Sequence, residues 1–246
     1  FISAVGNDEN GKELIEYLEK QDFTTQFIQQ SALPTSTVTV ELDDKKQATY
    51  TINKPVAWDD IELTDDLIRL VKDADVFVYC SLTCRSEKSR KTIYELLEHA
   101  NLKIFDINLR APHYEIETLK HLLAKADILK INEDELDYLK MVISLPDEEN
   151  EMLKMLSKRF QLKLICLTLG DKGAKVFYNN EFYSHPGYPV KVVDTVGAGD
   201  SFLATFIAGY LQNLDFPTIL DRACKVGAFV ASQAGANPDY LDHLLK

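Results

Sequence analysis

Cysteine is scarce: the 246 residues hold only Cys80, Cys84, Cys166 and Cys224, and no two form a C-x-x-C pair. That count and spacing argue against a disulfide framework or a zinc module, and suit reduced core thiols in a cytoplasmic protein. His99, His113, His121, His185 and His243 are scattered without ligand spacing, so they offer no metal site. No apolar run reaches about 18 residues free of charge, which excludes a membrane-spanning helix. The opening residues, FISAVGNDENG, have neither the basic region nor the cleavage pattern of a signal peptide. Positive charge is in deficit, with 27 Lys and Arg against 39 Asp and Glu and a formal net charge of −12. Such a surface repels nucleic acid and anionic lipid, although a local pocket can still take a small anion. There is no G-x-x-x-x-G-K-[ST] string, so P-loop chemistry is excluded. Internal repeats and low-complexity segments are absent.

What is present suits one large globular domain: 46% of the residues are hydrophobic, enough for a substantial core. Short β-branched or aromatic runs alternate with segments of helical period. Residues 75–82 (DVFVYCSL) precede a helical stretch over 86–100, and 102–108 (LKIFDIN) precede one over 114–125. Residues 127–132 (DILKIN) lead into EDELDYLKM, and a helix over 147–160 leads into LKLICLTLG at 162–170. The acids at 147–151 mark that helix's start, where they complement its dipole. Near-continuous apolar strands alternating with helices predict an α/β fold, a three-layer sandwich around a mostly parallel central sheet. Two stretches break the rhythm. Residues 36–53 alternate with period two across an Asp43-Asp44 turn, reading as a small β-hairpin that serves as a lid, a dimer clasp or a sheet edge. Residues 173–187 read as a second hairpin turning at Asn179-Asn180.

The most informative stretch is VVDTVGAGDSFLATFIAGYL, residues 192–211. Residues 190–193 read as a buried strand and 201–211 as a helix apolar on nearly every face. Between them Gly197 and Gly199 let successive amide N–H groups converge, and a helix N-terminus adds its positive dipole end. Together these make a hole for an anion or for developing phosphoryl charge. Asp200 then reads in two ways: an acid capping a helix, or a general base taking a proton from an attacking hydroxyl. The Gly-Asp-Ser string also resembles a serine-hydrolase block. That block belongs near the N-terminus with a D-x-x-H partner, whereas here it comes late and Tyr240 stands three residues before His243.

The run Asp194-Thr195-Val196-Gly197-Ala198-Gly199-Asp200 resembles the C-terminal motif of ribokinase-like (PfkB-type) carbohydrate kinases. Further pieces follow in the family's order: VGNDENG (5–11), SLTCRS (81–86), DINLR (106–110), NEDE (132–135), TLGDKG (168–173) and VGAFVASQAGANP (226–238). The resemblance implies one kinase domain over 1–246, with 36–53 inserted as a lid, and a first strand with a sugar-binding Asp, a Gly-Gly segment and an Asn ahead of Phe1. It implies that Asp200 is the catalytic base and touches the sugar, with Gly197, Ala198 and Gly199 as the anion hole. Asn132 and Glu135 would act on Mg²⁺ through water, with no direct protein ligand, although Asn132 also reads as a helix cap. Arg110 would meet phosphate or sugar. Thr168, Gly170, Ala228 and Gly235 would border the nucleotide, where Cys224 replaces an Asn common in relatives. Arg85 would touch the sugar, and Asp194 would help hold a K⁺ ion. The implied cofactors are ATP, Mg²⁺ and K⁺, and the implied partners are a small-molecule sugar and a second copy met through the hairpin. S-L-x-x-R and D-x-N-x-R are most similar to fructokinases. A 2-keto-3-deoxygluconate-type kinase shares these motifs, and a non-catalytic sugar or nucleotide binder on the same fold stays open.

Overall fold

The computed structural model describes residues 1–42 and 48–240. The Asp43-Asp44 turn, Lys45-Lys46 and His243 lie outside the described residues. The chain divides into two compact units, residues 1–103 with 109–121, and residues 104–108 with 122–246.

In the first unit, β1 (Ser3–Gly6) pairs in parallel with β2 (Ile28–Ser31), joined by α1 (Glu9–Lys20). Asp8 starts that helix: its Oδ1 accepts the Gly11 N–H at 2.9 Å and its Oδ2 accepts the Thr35 N–H at 2.8 Å. The Thr35 hydroxyl donates to Oδ1 at 2.6 Å. These bonds, the hydroxyl's first, hold the Asp8 carboxyl below the usual carboxylate range. The first predicted hairpin is present as β3 (Val38–Leu42) against β4 (Ala48–Ile52), antiparallel. A 3₁₀ turn (Ala57–Asp60), α2 (Asp65–Asp73), β5 (Phe77–Cys80), a second 3₁₀ turn (Leu82–Arg85) and α3 (Glu87–His99) follow. Their apolar faces meet in a core of Ala4, Ala57, Ile61, Leu67, Val71 and Leu96, which buried Ser89 and Thr92 tie to the chain through Trp58 O and Ile61 O.

The second unit carries strands in the order β10-β9-β8-β7-β6: β6 (Lys103–Asp106), β7 (Ile128–Asn132), β8 (Leu164–Thr168), β9 (Ala174–Tyr178) and β10 (Glu181–His185). β6, β7 and β8 run parallel and the last two antiparallel. Helices α4 (Ile116–Lys125), α5 (Glu133–Ile143) and α6 (Glu149–Phe160) connect the parallel strands. Leu129, Ile131, Leu164, Ile165 and Leu167 are fully buried on alternating sides, as a strand covered on both faces requires. The α6 acids cap as expected, Glu148 accepting from the Asn150 and Glu151 N–H groups. The β9–β10 turn is Asn179-Asn180, both at positive φ (49° and 64°), which fits a two-residue turn with the twist of the flanking strands.

Two local expectations differ from the structure. Residues 190–193 form no strand: Val192 and Val193 are 58% and 59% exposed, and Val193 N donates to Ala231 O rather than to a ladder. A β-branched run favours extended backbone, but a strand needs a neighbour, and no described strand pairs with this one. The helix after the glycines, α7 (Ala198–Leu211), begins three residues earlier than expected and is not buried all round. Phe202, Leu203, Phe206 and Gly209 are buried, much of that face against α8 (Phe216–Ala231), while Ala204, Ala208 and Leu211 are exposed. At the crossing a Cβ on Gly209 would stand 2.9 Å from Ile219 Cγ1, so a side chain there would push the helices apart.

Candidate active site

Gly197 is the N-cap of α7 and sits at φ +81°, where an L side chain is strained. A Cβ there would also lie 2.5 Å from Ala236 O, so two separate constraints demand glycine. No side chain caps this end, because the N-cap has none. Ala198 N donates to Thr195 O at 3.2 Å, and Ser201 N to Gly197 O at 2.9 Å. With the Ala198 N–H taken by Thr195 O, the Gly199 and Asp200 N–H groups are the first-turn donors left at this uncapped helix end, the arrangement that receives anions. Asp200 is the third residue of the helix and is exposed, so its carboxylate meets solvent beside those N–H groups.

Asp194 clips this turn to the chain that follows α8. Its Oδ1 accepts the Val196 N–H at 3.0 Å and its Oδ2 the Gly235 N–H at 3.2 Å. Gly235 itself adopts φ +80°, and Ala228 lies within α8.

The strand ends supply a second group. Asn132 and Thr168 are register partners on the last residues of β7 and β8. Asn132 and Glu135 form a capping box at the start of α5: Asn132 Oδ1 accepts the Glu135 N–H at 2.9 Å, and Glu135 Oε2 accepts the Asn132 N–H at 3.0 Å. The helix cap read as one alternative for Asn132 is thus present, with Glu135 buried. Gly170, just past β8, has φ +58° and open space where a Cβ would point. Cys224 is buried on α8, and burial pushes its thiol up to about 11.

Arg85 and Arg110 belong to the first unit. Arg110 is exposed, and its Nη1 donates to the neighbouring Leu109 O. Arg85 is already engaged: its side chain is 1% exposed, with Nε and Nη2 each 2.7 Å from the Asp59 carboxylate. Its guanidinium lies 3.9 Å from the Trp58 ring centroid and also donates to Asn53 O. Its Nη1 has no hydrogen-bond partner among the described residues.

Sequence reading missed one pair. Lys130 Nζ lies 3.0 Å from Asp106 Oδ1, with both side chains less than a tenth exposed. A Cβ built on Gly199 would stand 3.5 Å from that ammonium. The signal was available, since one lysine and one acid interrupt the apolar runs DILKIN and LKIFDIN, whose strands are register neighbours.

The profile of pfkB family carbohydrate kinases matches residues 1–243. Fructokinase-1 of Oryza sativa subsp. japonica is 31% identical, covering 97% of this chain and 78% of its own length. The ATP-dependent 6-phosphofructokinase of Thermoanaerobacterium thermosaccharolyticum is 29% identical over 98% of this chain and 76% of its own. Among solved structures, fructokinase from Vibrio cholerae with fructose, ADP and calcium bound is 28% identical with a TM-score of 0.77, covering 96% of this chain and 80% of that one.

Proposed function

The chain belongs to the pfkB family of carbohydrate kinases, and on that premise we propose that it transfers the γ-phosphoryl group of ATP to a hydroxyl of fructose, giving fructose 6-phosphate. The observation that carries the reading is the uncapped start of α7, with Gly197 at φ +81° and Asp200 on the same turn. Asp200 takes the proton of the sugar hydroxyl as that oxygen bonds to the γ-phosphorus. The bond from the γ-phosphorus to the β,γ-bridging oxygen breaks, and ADP leaves with that electron pair. The N–H groups of the Gly197–Gly199 turn other than Ala198's, which Thr195 O takes, meet the charge on the moving phosphoryl group, so positioning and electrostatics carry the step without a covalent phospho-enzyme.

Thr168, Gly170, Ala228 and Gly235 border the nucleotide in this reading. Asn132 and Glu135 fit a hard cation held through water: the donors are all oxygen, and Asn132 Oδ1 and Glu135 Oε2 already accept N–H groups. When bound, Mg²⁺ would offset phosphate charge. Asp194 would contribute to a K⁺ site while holding the turn, and for Arg110 the family resemblance alone supports a phosphate contact. A homodimer through the 36–53 hairpin completes the reading, and sedimentation as a monomer at working concentration would contradict it.

Arg85 and Arg110 are the two cations that could serve a carboxylate-bearing acceptor. The alternative substrate, 2-keto-3-deoxygluconate, has a carboxylate that needs a free cation, and the Arg85 fork is bound in bidentate fashion to Asp59. That engagement takes Arg85 out of the count and leaves the exposed Arg110 as the other cation, so the motif likeness to fructokinases is what favours fructose. The test is ADP release from Mg-ATP with fructose, 2-keto-3-deoxygluconate, ribose and adenosine in turn. Fructose is expected to give the highest kcat/KM; turnover with 2-keto-3-deoxygluconate alone would replace the substrate and retain the kinase. ATP binding with no turnover on any acceptor would favour a non-catalytic binder.

A further inference from the structure

We infer that Lys130 is a second cationic element of the anion hole, contacting the terminal phosphate of ATP, and that Asp106 is the positioning residue that aims it. The inference rests on the kinase reading and adds a residue to that site.

Three observations, all within the second unit, meet at this ammonium. First, its place: Lys130 stands on β7 two residues before Asn132, at the strand end where the candidate nucleotide residues lie. Second, its aim: a Cβ at Gly199 would be 3.5 Å from Nζ, so the ammonium faces the Cα of a glycine inside the uncapped first turn of α7. Third, its valence: among the described residues its one hydrogen-bond partner is Asp106, at 3.0 Å, while an ammonium has three protons to donate. A lysine less than a tenth exposed, with a single carboxylate partner, leaves donors to be met by something else. The neighbouring helix start presents the positive end of the α7 dipole, which attracts anions and not cations. A terminal phosphate brings several acceptor oxygens and meets both sets of donors at once.

The ion pair explains the rest of the arrangement. A lone lysine in an apolar strand would be costly to bury, and Asp106 on the adjacent strand offsets that cost while fixing the direction of the long side chain. Cys166, the register partner of Lys130 on β8, is fully buried, and burial pushes its thiol upward, so it brings no competing charge.

The purely structural alternative is a buried pair that knits β6 to β7. The two roles differ in what they do to nucleotide recognition. Dissociation constants for ATP and ADP would be measured by titration calorimetry on the wild type, on Lys130→Arg, and on Asp106→Asn combined with Lys130→Met. The double variant removes both charges, so no uncompensated charge is left buried to unfold the chain, and its melting temperature is checked first. Loss of a charged hydrogen bond to the terminal phosphate predicts about a tenfold to hundredfold weaker ATP affinity in the double variant. ADP affinity should change by less than about threefold, and Lys130→Arg should retain most of the ATP preference. A folded double variant that keeps the wild-type ratio of ATP to ADP affinity, or loses both nucleotides equally, overturns the inference and leaves the kinase reading standing. Failure of the wild type to bind either nucleotide would overturn the kinase reading itself, and this inference with it.

Discussion

Gly197 and Arg85 show how single residues carry separate demands. At Gly197 a side chain meets a backbone conformation costing on the order of 1–3 kcal/mol and a contact of 2.5 Å with Ala236 O. Gly197→Ala is therefore expected to lower the melting temperature and to abolish most turnover; retention of both would remove the reason for glycine there. Arg85 forms a buried, bidentate pair with Asp59, and breaking such a pair by removing one partner costs about 3–5 kcal/mol. Arg85→Met should lose about that much unfolding free energy and unfold at lower denaturant, and a midpoint unchanged from wild type would contradict the structural assignment. Asp200, by contrast, is exposed, and its replacement should cost activity and not stability.

Among the elements, helix starts do most of the positioning. α1 hangs on Asp8, α5 on the Asn132–Glu135 box, α6 on Glu148, and only α7 among these begins without a side-chain cap. The Asp8 carboxyl is held below its ordinary value, so its contribution to stability is present above pH about 4 and is lost as pH falls through the lowered folded value. The gap in melting temperature between wild type and Asp8→Ala should accordingly be wider at pH 7 than at pH 3; an equal or wider gap at pH 3 would contradict the cap. Elements were also where sequence reading was strongest and weakest. The strands β6 to β8 and helices α3 to α6 were legible because apolar runs and helical periods are local properties, and the Asn179-Asn180 hairpin because its turn chemistry is local too. Residues 190–193 misled because pairing depends on a neighbour that local propensity does not encode. The early start of α7 was hidden because a left-handed glycine N-cap looks, in sequence, like part of the loop.

At the scale of the whole molecule, the second unit brings together most of what the family resemblance implied: the α7 start, Asp194, the β7 and β8 ends, and Gly235. The membership of the chain was legible in the order of its motifs, while the buried pairs Asp59–Arg85 and Asp106–Lys130 were not. Each joins residues 24 or 26 positions apart, and a charge in a sequence does not declare its partner. No helix among the described residues is long and apolar enough to cross a membrane. The chain is a pfkB family carbohydrate kinase, and the proposed chemistry centres on Asp200 at the start of α7. The measurement that tests this most directly is fructose-dependent release of ADP from Mg-ATP by the wild type and by Asp200→Asn, at matched melting temperatures. The account predicts turnover by the wild type and a loss of about 10²–10⁴-fold in kcat for the variant, with ATP affinity little changed. A variant that turns over within a few-fold of the wild type would show that Asp200 only complements the dipole of α7 and that the base lies elsewhere.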